Sequence, residues 1–534
     1  MSAFHSSAPI LLVDSLSNLS PSGSRIPEAR ACGLNLGLEF LKVASNCPEA
    51  PAISTPGFRW NYSNLAAAAL SIARSIRALP GHVPGSRVVL LLPNSPEYIA
   101  AFLGIGLADS VIVPIPTRAE REQIQHAIRS TDAVGVVTTT ATATKQDWLT
   151  TGPVVSIQPA PPVDQPAELP GASDDDLAAI FFTAGSTGTP KGVMLSHRNL
   201  ISNARSIQEY QQITANDRPL CVLPFHHAFG NSVLTSHVLA GAELVLAGNT
   251  AFPETLIEAL ARYECTSLSG VPDLFRVILE RTSLGKTPLP TVRLMAVAGG
   301  ALRHDLALEL ARRIAPARMF VMYGQTEATA RLSYVPPEEL ELHPAGGIGR
   351  GIPGVTLQVA DVDGGPAPVG EVGELRARGA NVMLGYWRDP TATAERIRDG
   401  WLYTGDLASM NADGWVVIRG RQSSLVKIAG FRVHPAELEE FAVRRLAATH
   451  AVAVAFDMPL VGTRLALFLK IEARDGRSGV SELIARCRAE LPRHLVPELI
   501  DIVDEFPLNH ALKIDRPLLV RVAEQATVRR SEAA

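Results

Sequence analysis

Hydrophobic and polar positions follow two alternating periods in the first two-thirds of the chain. Residues Arg87–Leu92 are an almost continuous apolar run, typical of a strand buried on both faces of a sheet. Helical spacing then runs from a cap at Asn94 or Ser95, through Pro96 in the first turn, to about Leu107. The next predicted elements are a strand over Val111–Pro114, a helix over Glu120–Ser130 and a strand over Ala133–Thr138. This βαβαβ order predicts mostly parallel sheets covered by helices.

The alternation returns later in the chain and then changes. It predicts a strand over Arg293–Val297, a helix over Leu302–Ile314 and a strand over Arg318–Met322. The segment Pro153–Ala172 is rich in Pro and Ala, which predicts a loop between subdomains. After about residue 355, short strands over Glu374–Arg378 and Gly414–Ile418, with a turn at Asp413-Gly414, predict a small β subdomain.

A smaller α+β unit is predicted from about residue 425. Its elements are a helix over Ala436–Ala448, strands over Ala451–Phe456 and Leu465–Ile471, and a helix over Ser481–Leu491. The expected fold class is α/β, with a large N-terminal domain over 31–421 and a C-terminal α+β domain over 422–534. Their boundary is placed near Arg421–Ser424. Residues 1–30 are rich in Ser and Pro and are expected to be loosely ordered.

Composition excludes several classes of function. The chain has 534 residues and a net charge of -4, which gives no electrostatic reason for a nucleic-acid or anionic-membrane partner. No apolar run approaches the ~18 residues of a membrane span. The five cysteines are scattered and form no CxxC pair, so neither a disulfide framework nor a zinc site is expected. This cysteine usage predicts a reducing, cytoplasmic location.

The strongest chemical signal is the segment Ala178–Gly192, AAIFFTAGSTGTPKG. An apolar strand runs into a loop dense in glycines and hydroxyls, which ends at Lys191. Glycines let backbone N–H groups approach phosphate oxygens, and hydroxyls and a lysine add donors and positive charge. The loop is not a Walker A motif. The alternative, an ordinary flexible surface loop, is disfavoured by this density of groups after a buried strand. The predicted phosphate-binding residues are Thr183, Ser186, Thr187, Gly188, Thr189 and Lys191.

The loop TAGSTGTPKGV closely resembles the phosphate loop of the adenylate-forming superfamily, which includes acyl- and aryl-CoA ligases, beetle luciferases and peptide-synthetase adenylation domains. Further motifs match in order: Tyr323–Glu327 (YGQTE), Gly400–Leu407 (GWLYTGDL), Gly420–Arg421, Lys427–Glu437 (KIAGFRVHPAE) and Lys513–Asp515 (KID). The resemblance covers residues 35 to 522. It implies ATP-dependent activation of a carboxylic acid as acyl-AMP with release of pyrophosphate, followed by transfer to a thiol to give acyl-CoA. It also implies a mobile C-terminal lid.

The resemblance assigns roles to individual residues. Glu327 is implied as the Mg²⁺ ligand, Tyr323 as an adenine-stacking face, and Lys513 as the mobile catalytic lysine. Asp406 is implied to accept hydrogen bonds from both ribose hydroxyls, and Arg421 to reach the ribose or the phosphate from the domain hinge. The full implied nucleotide set adds Gly300, Ala301 and Gly324 to the phosphate loop and these residues, and the catalytic set adds Thr326 and His227. The alternatives are a core aromatic for Tyr323, a turn-ordering carboxylate for Asp406 and a tail lysine for Lys513; the matching motifs disfavour all three.

The resemblance also implies an acyl pocket and a thiol tunnel. His227, in Leu223–Gly230 (LPFHHAFG), would stand at the pocket mouth, and Gly299 and Gly300 would form a wall with room for an acyl chain. Lys427 and Gly430 would line the path of the pantetheine arm of CoA, or of an acyl carrier protein, since both present the same thiol. A zinc site at His226 and His227 is rejected, because adjacent side chains rarely aim at one ion and no further ligand cluster is evident.

Single positions bear on the identity of the acid and depart from the family pattern. Peptide-synthetase domains carry an aspartate for the substrate ammonium, whereas Phe229–Ser232 has no carboxylate, so a fatty or aryl acid is expected rather than an α-amino acid. Ser423 replaces the usual hinge Asp or Lys, Leu512 replaces the glycine before the catalytic lysine, and Phe456–Thr463 lacks a frequent Gly-Glu pair.

Three alternatives to a CoA ligase are compatible with the sequence. The first is an acyl-AMP ligase that loads an acyl carrier protein. The second is a luciferase-like oxygenase, whose chemistry depends on its substrate. The third, from another class, is a catalytically weak nucleotide-binding protein, motivated by Ser423 and Leu512. The expected partners are a small carboxylic acid with ATP, Mg²⁺ and CoA or a carrier protein, without nucleic acid or a transmembrane segment.

Overall fold

The structure is a computed structural model that describes most of the chain. The described residues are 9–14, 34–145, 154–156, 171, 173–183, 190–342, 344, 346–421, 426–428, 431–433, 435–458, 462–471, 480–507 and 514–532. The chain divides into two compact units. The first comprises residues 1–358, 376–404 and 412–417, and the second comprises 359–375, 405–411 and 418–534. In the described ranges, no helix is both long and apolar enough to cross a membrane.

Helices and strands alternate along the described chain. The helices are α1 (Leu36–Asn46), α2 (Tyr62–Arg77), α3 (Pro96–Leu107), α4 (Arg121–Thr131), α5 (Thr140–Lys145), α6 (His197–Gln211), α7 (Ala228–Val238), α8 (Glu254–Arg262), α9 (Pro272–Arg281), α10 (His304–Ile314), α11 (Pro390–Arg396), α12 (Pro435–Arg445), α13 (Val480–Glu490) and α14 (Arg516–Glu532). The strands are β1 (Ile10–Leu12), β2 (Pro51–Ser54), β3 (Arg59–Asn61), β4 (Arg87–Leu90), β5 (Val111–Pro114), β6 (Gly135–Thr138), β7 (Val154–Ser156), β8 (Leu177–Thr183), β9 (Lys191–Ser196), β10 (Pro219–Leu220), β11 (Leu244–Val245), β12 (Ser267–Gly270), β13 (Leu294–Val297), β14 (Arg318–Tyr323), β15 (Ser333–Val335), β16 (Gly347–Gly351), β17 (Val355–Ala360), β18 (Val372–Gly379), β19 (Gly385–Tyr386), β20 (Ile397–Arg398), β21 (Trp401–Met410), β22 (Val416–Arg421), β23 (Val426–Ile428), β24 (Phe431–Val433), β25 (Ala448–Met458), β26 (Gly462–Ile471) and β27 (Leu499–Ile502).

The first sheet has the strand order β19-β9-β8-β5-β4-β6-β1-β7. Its centre is parallel, as in the pairs β4–β5 and β4–β6, and its strands are buried on both faces. Val89, Val113 and Ile180 belong to one cluster of its core, together with Ile124 and Ile128 of helix α4. Burial on both faces explains the uninterrupted apolar runs that predicted these strands.

The second sheet carries the edge at which the site residues meet. Within the first unit its order is β3-β2-β11-β10-β12-β13-β14-β15-β16. The strands from β2 to β14 run parallel, with Val297 beside Val321 in neighbouring strands, and β14 to β16 are antiparallel. The carboxyl ends of β10, β12, β13 and β14 therefore lie along one edge, where open α/β sheets form their sites.

The second unit contains a three-stranded sheet of β25, β26 and β27 and a hairpin of β23 and β24. Successive residues of β25 point to opposite faces. Ala451 and Ala453 join a core with helices α12 and α13, whereas Val452 and Val454 join a core with helix α14. The α+β unit predicted from about residue 425 has this arrangement. Strands β17, β18, β21 and β22 are each divided between the two units along the chain.

Three predictions about local structure are wrong. Residues 10–12 are not loosely ordered, because Ile10 and Leu11 are fully buried in strand β1 between β6 and β7. The predicted loop over 153–172 contains strand β7, which pairs with β1. Helix α12 ends at Arg445 rather than Ala448, since Ala447 has a positive φ of 55° and Ala448 already pairs with Ile471.

Candidate functional site

The predicted phosphate loop closes a hairpin. Strand β8 pairs antiparallel with β9, and Thr183 lies directly opposite Lys191 at the loop end of the pair. The Thr183 hydroxyl lies 3.4 Å from the Lys191 carbonyl oxygen. Residues 184–189, which include Ser186, Thr187, Gly188 and Thr189, lie outside the described residues.

Lys191, Tyr386 and Glu327 form one continuous contact chain. The Lys191 ammonium nitrogen lies over the Tyr386 ring, 5.1 Å from its centroid. The Tyr386 hydroxyl donates a 2.8 Å hydrogen bond to Oε1 of Glu327. Burial and the neighbouring Glu327 charge hold the pKa of the Tyr386 hydroxyl well above its usual range, so it remains a donor at neutral pH. The lysine of one motif and the carboxylate of another are thus brought together through a residue outside both motifs.

Glu327 fits the role of a Mg²⁺ ligand. It is half-buried on a short 3₁₀ turn, Thr326–Ala328, that follows strand β14. One carboxylate oxygen is oriented by Tyr386, and a hard oxygen donor is what Mg²⁺ takes when it also binds substrate phosphates. In the described residues no group of three or more His, Cys, Asp or Glu side chains is placed to hold a metal by itself.

The turn that carries Glu327 is fixed by backbone packing. A Cβ atom at Gly324 would overlap the Ala330 carbonyl oxygen, so only glycine allows Tyr323 and the following residues to adopt this path. The Asn381 amide donates to the carbonyls of Ala328 and Arg331, at 3.1 and 2.8 Å. The Met383 amide donates to the Glu327 carbonyl at 2.9 Å. The segment before Tyr386 therefore holds the Glu327 turn in place.

The predicted pocket glycines lie beside this turn. Gly299, Gly300 and Ala301 follow strand β13, which pairs in parallel with β14, the strand that ends at Tyr323. Gly299 has a φ of +91°, in the region that favours glycine. A Cβ atom at Gly300 would meet only Pro272, at 3.5 Å. The pocket glycines and the Tyr323–Glu327 motif thus lie at the carboxyl ends of adjacent strands.

The two histidines follow strand β10 at the same edge. The Asn94 side chain fixes their segment by donating to the Leu223 carbonyl at 2.8 Å and accepting from the Phe225 amide at 2.9 Å. A Cβ atom at Gly230 would overlap the Pro224 carbonyl oxygen, so glycine is required where the first turn of helix α7 packs against the preceding segment. The imidazole centroids of His226 and His227 are 4.3 Å apart with the rings tilted by 52°. His227 precedes the first turn of helix α7.

Asp406 and Arg421 form an ion pair in the second unit. Arg421 Nε donates to Asp406 Oδ1 at 2.9 Å. The Asp406 side chain is only 4% exposed, whereas that of Arg421 is 61% exposed. The two residues lie on strands β21 and β22. The resemblance implies a ribose contact for Asp406 and a ribose or phosphate contact for Arg421. The structure brings these two predicted residues together.

The structure does not describe the side chains of several predicted site residues. Lys427 lies on strand β23. Ser423, Gly430, Leu512 and Lys513 lie outside the described residues, as do four residues of the phosphate loop. The hinge, the thiol tunnel and the catalytic lysine therefore remain predictions. The domain boundary near residue 421 is likewise still a prediction.

Sequence reasoning missed Tyr386, Asn381 and Arg331. Tyr386 pairs with Val193 across strands β19 and β9, and the Trp387 amide donates to the Gly192 carbonyl at 2.7 Å. This pairing joins segments that are far apart in the chain. The only local signal was Gly385-Tyr386, where Gly385 has a φ of +143° and a Cβ atom would meet the Thr393 side chain at 2.7 Å.

A large α/β unit with loops converging on the carboxyl ends of parallel strands is the architecture of a nucleotide-binding enzyme. A family model described as AMP-binding enzyme matches residues 40–387. Feruloyl-CoA synthase from an Amycolatopsis species is 30% identical over 489 residues, covering 90% of this chain and 97% of that protein. The long-chain-fatty-acid–CoA ligase of Salmonella typhimurium is 27% identical over 524 residues, covering 89% and 92%. The crystal structure of ATP-bound MatB from Rhodopseudomonas palustris superposes with a TM-score of 0.81 at 25% identity, covering 92% and 99%.

The chain therefore belongs to the AMP-binding enzyme family. It is an AMP-forming acid–thiol ligase of the acyl-CoA synthetase type. The predicted superfamily, fold class and enzyme class are confirmed. The alternative of a catalytically weak nucleotide-binding protein is not supported by these similarities, which extend over nearly the whole chain.

Proposed function

We propose that this enzyme activates a fatty or aryl carboxylic acid with ATP and transfers the acyl group to CoA in the cytoplasm. In the first step a carboxylate oxygen attacks the α-phosphorus of ATP, and the bond to the β-phosphate oxygen breaks to release pyrophosphate. In the second step the thiol sulfur attacks the acyl carbonyl, loses its proton and displaces AMP. CoA as acceptor is supported by the similarity to a feruloyl-CoA synthase and a long-chain-fatty-acid–CoA ligase. The four described cysteines are free thiols, as a reducing compartment favours.

The contact chain of Lys191, Tyr386 and Glu327 is the observation that carries the proposal. Adenylation brings two anions together, so the site must neutralise charge and hold the reacting groups in line. Lys191 would place positive charge against the polyphosphate at the end of the hairpin. Glu327 would hold Mg²⁺, which supplies charge neutralisation on the phosphates. Tyr386 would hold Glu327 and Lys191 in fixed positions relative to each other, through its 2.8 Å hydrogen bond to Glu327 and its ring beneath Lys191.

The remaining roles follow the family motifs. Tyr323 and Gly324, with Gly300 and Ala301 on the neighbouring strand, would bind adenine and the adenylate backbone. Asp406 would accept hydrogen bonds from the ribose hydroxyls while Arg421 restrains its carboxylate. His227 would stand at the mouth of the acyl pocket beside Gly299 and Thr326.

The C-terminal domain would complete the site. Lys513 would bridge the attacking carboxylate and the α-phosphate in the first step. Rotation at a hinge near Ser423 would then bring Lys427 and Gly430 to the pantetheine arm. These roles follow the family motifs, and the domains are taken as 31–421 and 422–534.

An α-amino acid is a poor fit for the pocket. Phe229–Ser232 offers no carboxylate for an ammonium group. The guanidinium of Arg331 lies over the Phe229 ring, 4.0 Å from its centroid, and adds positive charge on that side. A buried ammonium near it would be unpaired and repelled. A fatty or aryl acid without an ammonium group avoids both costs.

The test is acid-dependent release of pyrophosphate from Mg·ATP over a panel of fatty and aryl acids, with and without CoA. Release that accelerates with CoA and yields acyl-CoA supports the proposal. Release that ignores CoA but loads a phosphopantetheinylated carrier protein would replace CoA with that acceptor. The Lys513→Ala variant should lose on the order of 100-fold in adenylation and still bind ATP. Lys42→Ala, an exposed lysine on helix α1, serves as the matched control.

A further inference from the structure

Arg331 is the largest fully buried side chain of the described protein, with 2% of its surface exposed. Its guanidinium stacks on Phe229 and hydrogen-bonds the Tyr210 hydroxyl, which in turn donates to the Met322 sulfur at 3.0 Å. Burial lowers the pKa of the Arg331 guanidinium, yet an arginine in a protein does not give up its proton. The group is therefore a buried, permanent cation.

No described residue supplies the counter-charge. The groups that act on the Arg331 guanidinium are the Tyr210 hydroxyl and the Phe229 ring, and Nε has no hydrogen-bond partner among the described residues. An unpaired buried charge is strongly destabilising, so a buried cation of this kind calls for an anion as its partner. A tyrosine hydroxyl and an aromatic face offset only part of that cost.

The backbone of Arg331 is anchored on two sides. Its carbonyl accepts from the amides of Asn203, at 3.2 Å, and Asn381, at 2.8 Å. The next residue, Leu332, donates its backbone N–H to the Tyr323 carbonyl at 2.9 Å. These bonds fix the backbone that carries the guanidinium. The position is built into the fold.

This cation lies beside the proposed acyl site. A Cβ atom at Gly324 would come within 2.9 Å of the Arg331 Cα, so the adenylate-binding turn and Arg331 are in direct backbone contact. Phe229, on which the guanidinium stacks, comes two residues after His227 at the proposed pocket mouth.

We propose that Arg331 reads a second carboxylate at the far end of the substrate, so that the preferred acid is a dicarboxylic acid rather than a plain monocarboxylic one. This inference rests on the proposed function and names the subclass of acid. One carboxylate reacts with ATP, and the other pairs with the planar guanidinium, whose fork matches a carboxylate in two parallel hydrogen bonds. The stacked Phe229 ring keeps the fork in place and limits the length of acid that fits.

The experiment compares dicarboxylic acids of increasing length, aliphatic and aryl, with their monomethyl esters. The readout is kcat/KM for pyrophosphate release by the full-length enzyme. The ester keeps one reacting carboxylate and nearly the same shape but lacks the second charge. Wild-type enzyme should prefer the best diacid over its ester by on the order of 100-fold. This wild-type comparison needs no variant and so does not depend on the folding of one.

Variants at Arg331 supply the second arm. Arg331→Met should abolish the preference, because its kcat/KM for the diacid should fall while its kcat/KM for the ester stays the same or rises. Arg331→Lys should keep only part of the preference, because a lysine lacks the guanidinium fork. Arg312→Met, at a side chain 72% exposed on helix α10, should leave the ratio unchanged.

The outcomes separate the two proposals. Turnover of monocarboxylic acids with no preference for any diacid overturns this inference and leaves the proposed function standing. A preference for hydroxylated or methoxylated aryl acids that Arg331→Met abolishes overturns the second carboxylate in favour of a neutral acceptor. No pyrophosphate release with any acid would remove the proposed function and this inference with it.

Discussion

The Tyr386 hydroxyl is hydrogen-bonded to the Glu327 carboxylate at 2.8 Å, and the same tyrosine ring lies under the Lys191 ammonium group. One aromatic residue therefore contacts both the cation of the phosphate loop and the proposed magnesium ligand. Strand pairing fixes its position, because Tyr386 pairs with Val193 two residues after Lys191.

Removing this hydroxyl should weaken use of Mg·ATP. Tyr386→Phe keeps the ring beneath Lys191 but leaves Oε1 of Glu327 without its donor. Hydrogen bonds to charged groups contribute ~1.5–3 kcal/mol, so kcat/KM for Mg·ATP should fall by roughly 10- to 100-fold. Steady-state pyrophosphate release at varied Mg²⁺ measures the effect. Tyr263→Phe, at the end of helix α8, is the control. An unchanged magnesium dependence in Tyr386→Phe would contradict the positioning role.

Lys191 should matter for phosphate binding rather than for folding. Lys191→Met removes the charge from a partly exposed side chain, so the melting temperature should stay close to that of wild type. The KM for ATP should rise at least about tenfold, since the loss is of a charge-assisted contact. Lys286→Met, at an exposed lysine between helix α9 and strand β13, should leave KM unchanged. Equal KM values in Lys191→Met and wild type would refute the assignment.

Gly324 should tolerate no side chain. Gly324→Ala drives a Cβ into the Ala330 carbonyl, and the turn must move to accept it. Because that turn carries Glu327, we expect a loss of activity of roughly 100-fold or more and a lower melting temperature. Gly57→Ala is a matched control, since a Cβ there meets nothing within 4 Å. Comparable activity in the two variants would show that the backbone can shift at little cost.

Asp406 and Arg421 should differ in importance although they are paired. Arg421 is mostly exposed, so its ion pair adds only about 0–1 kcal/mol to stability, and Arg421→Ala should fold normally. Asp406→Asn removes the negative charge and puts an NH2 donor in place of one of the two oxygens proposed to accept from the ribose, so it should weaken ATP binding by about tenfold or more. Isothermal titration of ATP into both variants tests this order. Wild-type affinity in Asp406→Asn would exclude the ribose role.

Acid should destabilise the protein partly through His197. Burial lowers the pKa of this imidazole from 6.5 to about 4, and the Leu36 amide donates to its Nδ1 at 3.2 Å. A group with a lowered pKa contributes stability that is complete above 6.5 and is lost as the pH falls toward 4. A shift of this size corresponds to about 3 kcal/mol.

The measurement is the melting temperature at about pH 7.5 and about pH 5. The drop between the two should be smaller in His197→Gln than in wild type, since the variant has no imidazole to protonate. His494→Gln, at a partly exposed histidine, should keep the wild-type drop. If His197→Gln shows the full drop, other groups account for the acid sensitivity. His237 is the next candidate, because burial lowers its pKa to about 4 as well.

The sequence by itself determined the elements and the class of enzyme. Runs such as Val88–Leu90 predict strands because both faces are buried, and helix α3 begins at Pro96 after the Ser95 cap, as local capping requires. The ordered motifs predicted the phosphate loop, Glu327 and Asp406 as site residues, since the order and spacing of the motifs along the chain are themselves the evidence for the family. Errors fell where tertiary contacts override composition, as at Ile10 to Leu12.

Only the tertiary structure decided which residues meet across the fold. Tyr386 reaches Glu327 through the pairing of β19 with β9, and Arg331 is a buried cation through packing against Phe229 and Tyr210. Neither relation has a period or a motif in the sequence, because each joins segments distant along the chain. Local periodicity reports the direction in which a side chain points relative to its own element, whereas the charge or ring that it faces depends on how the elements pack.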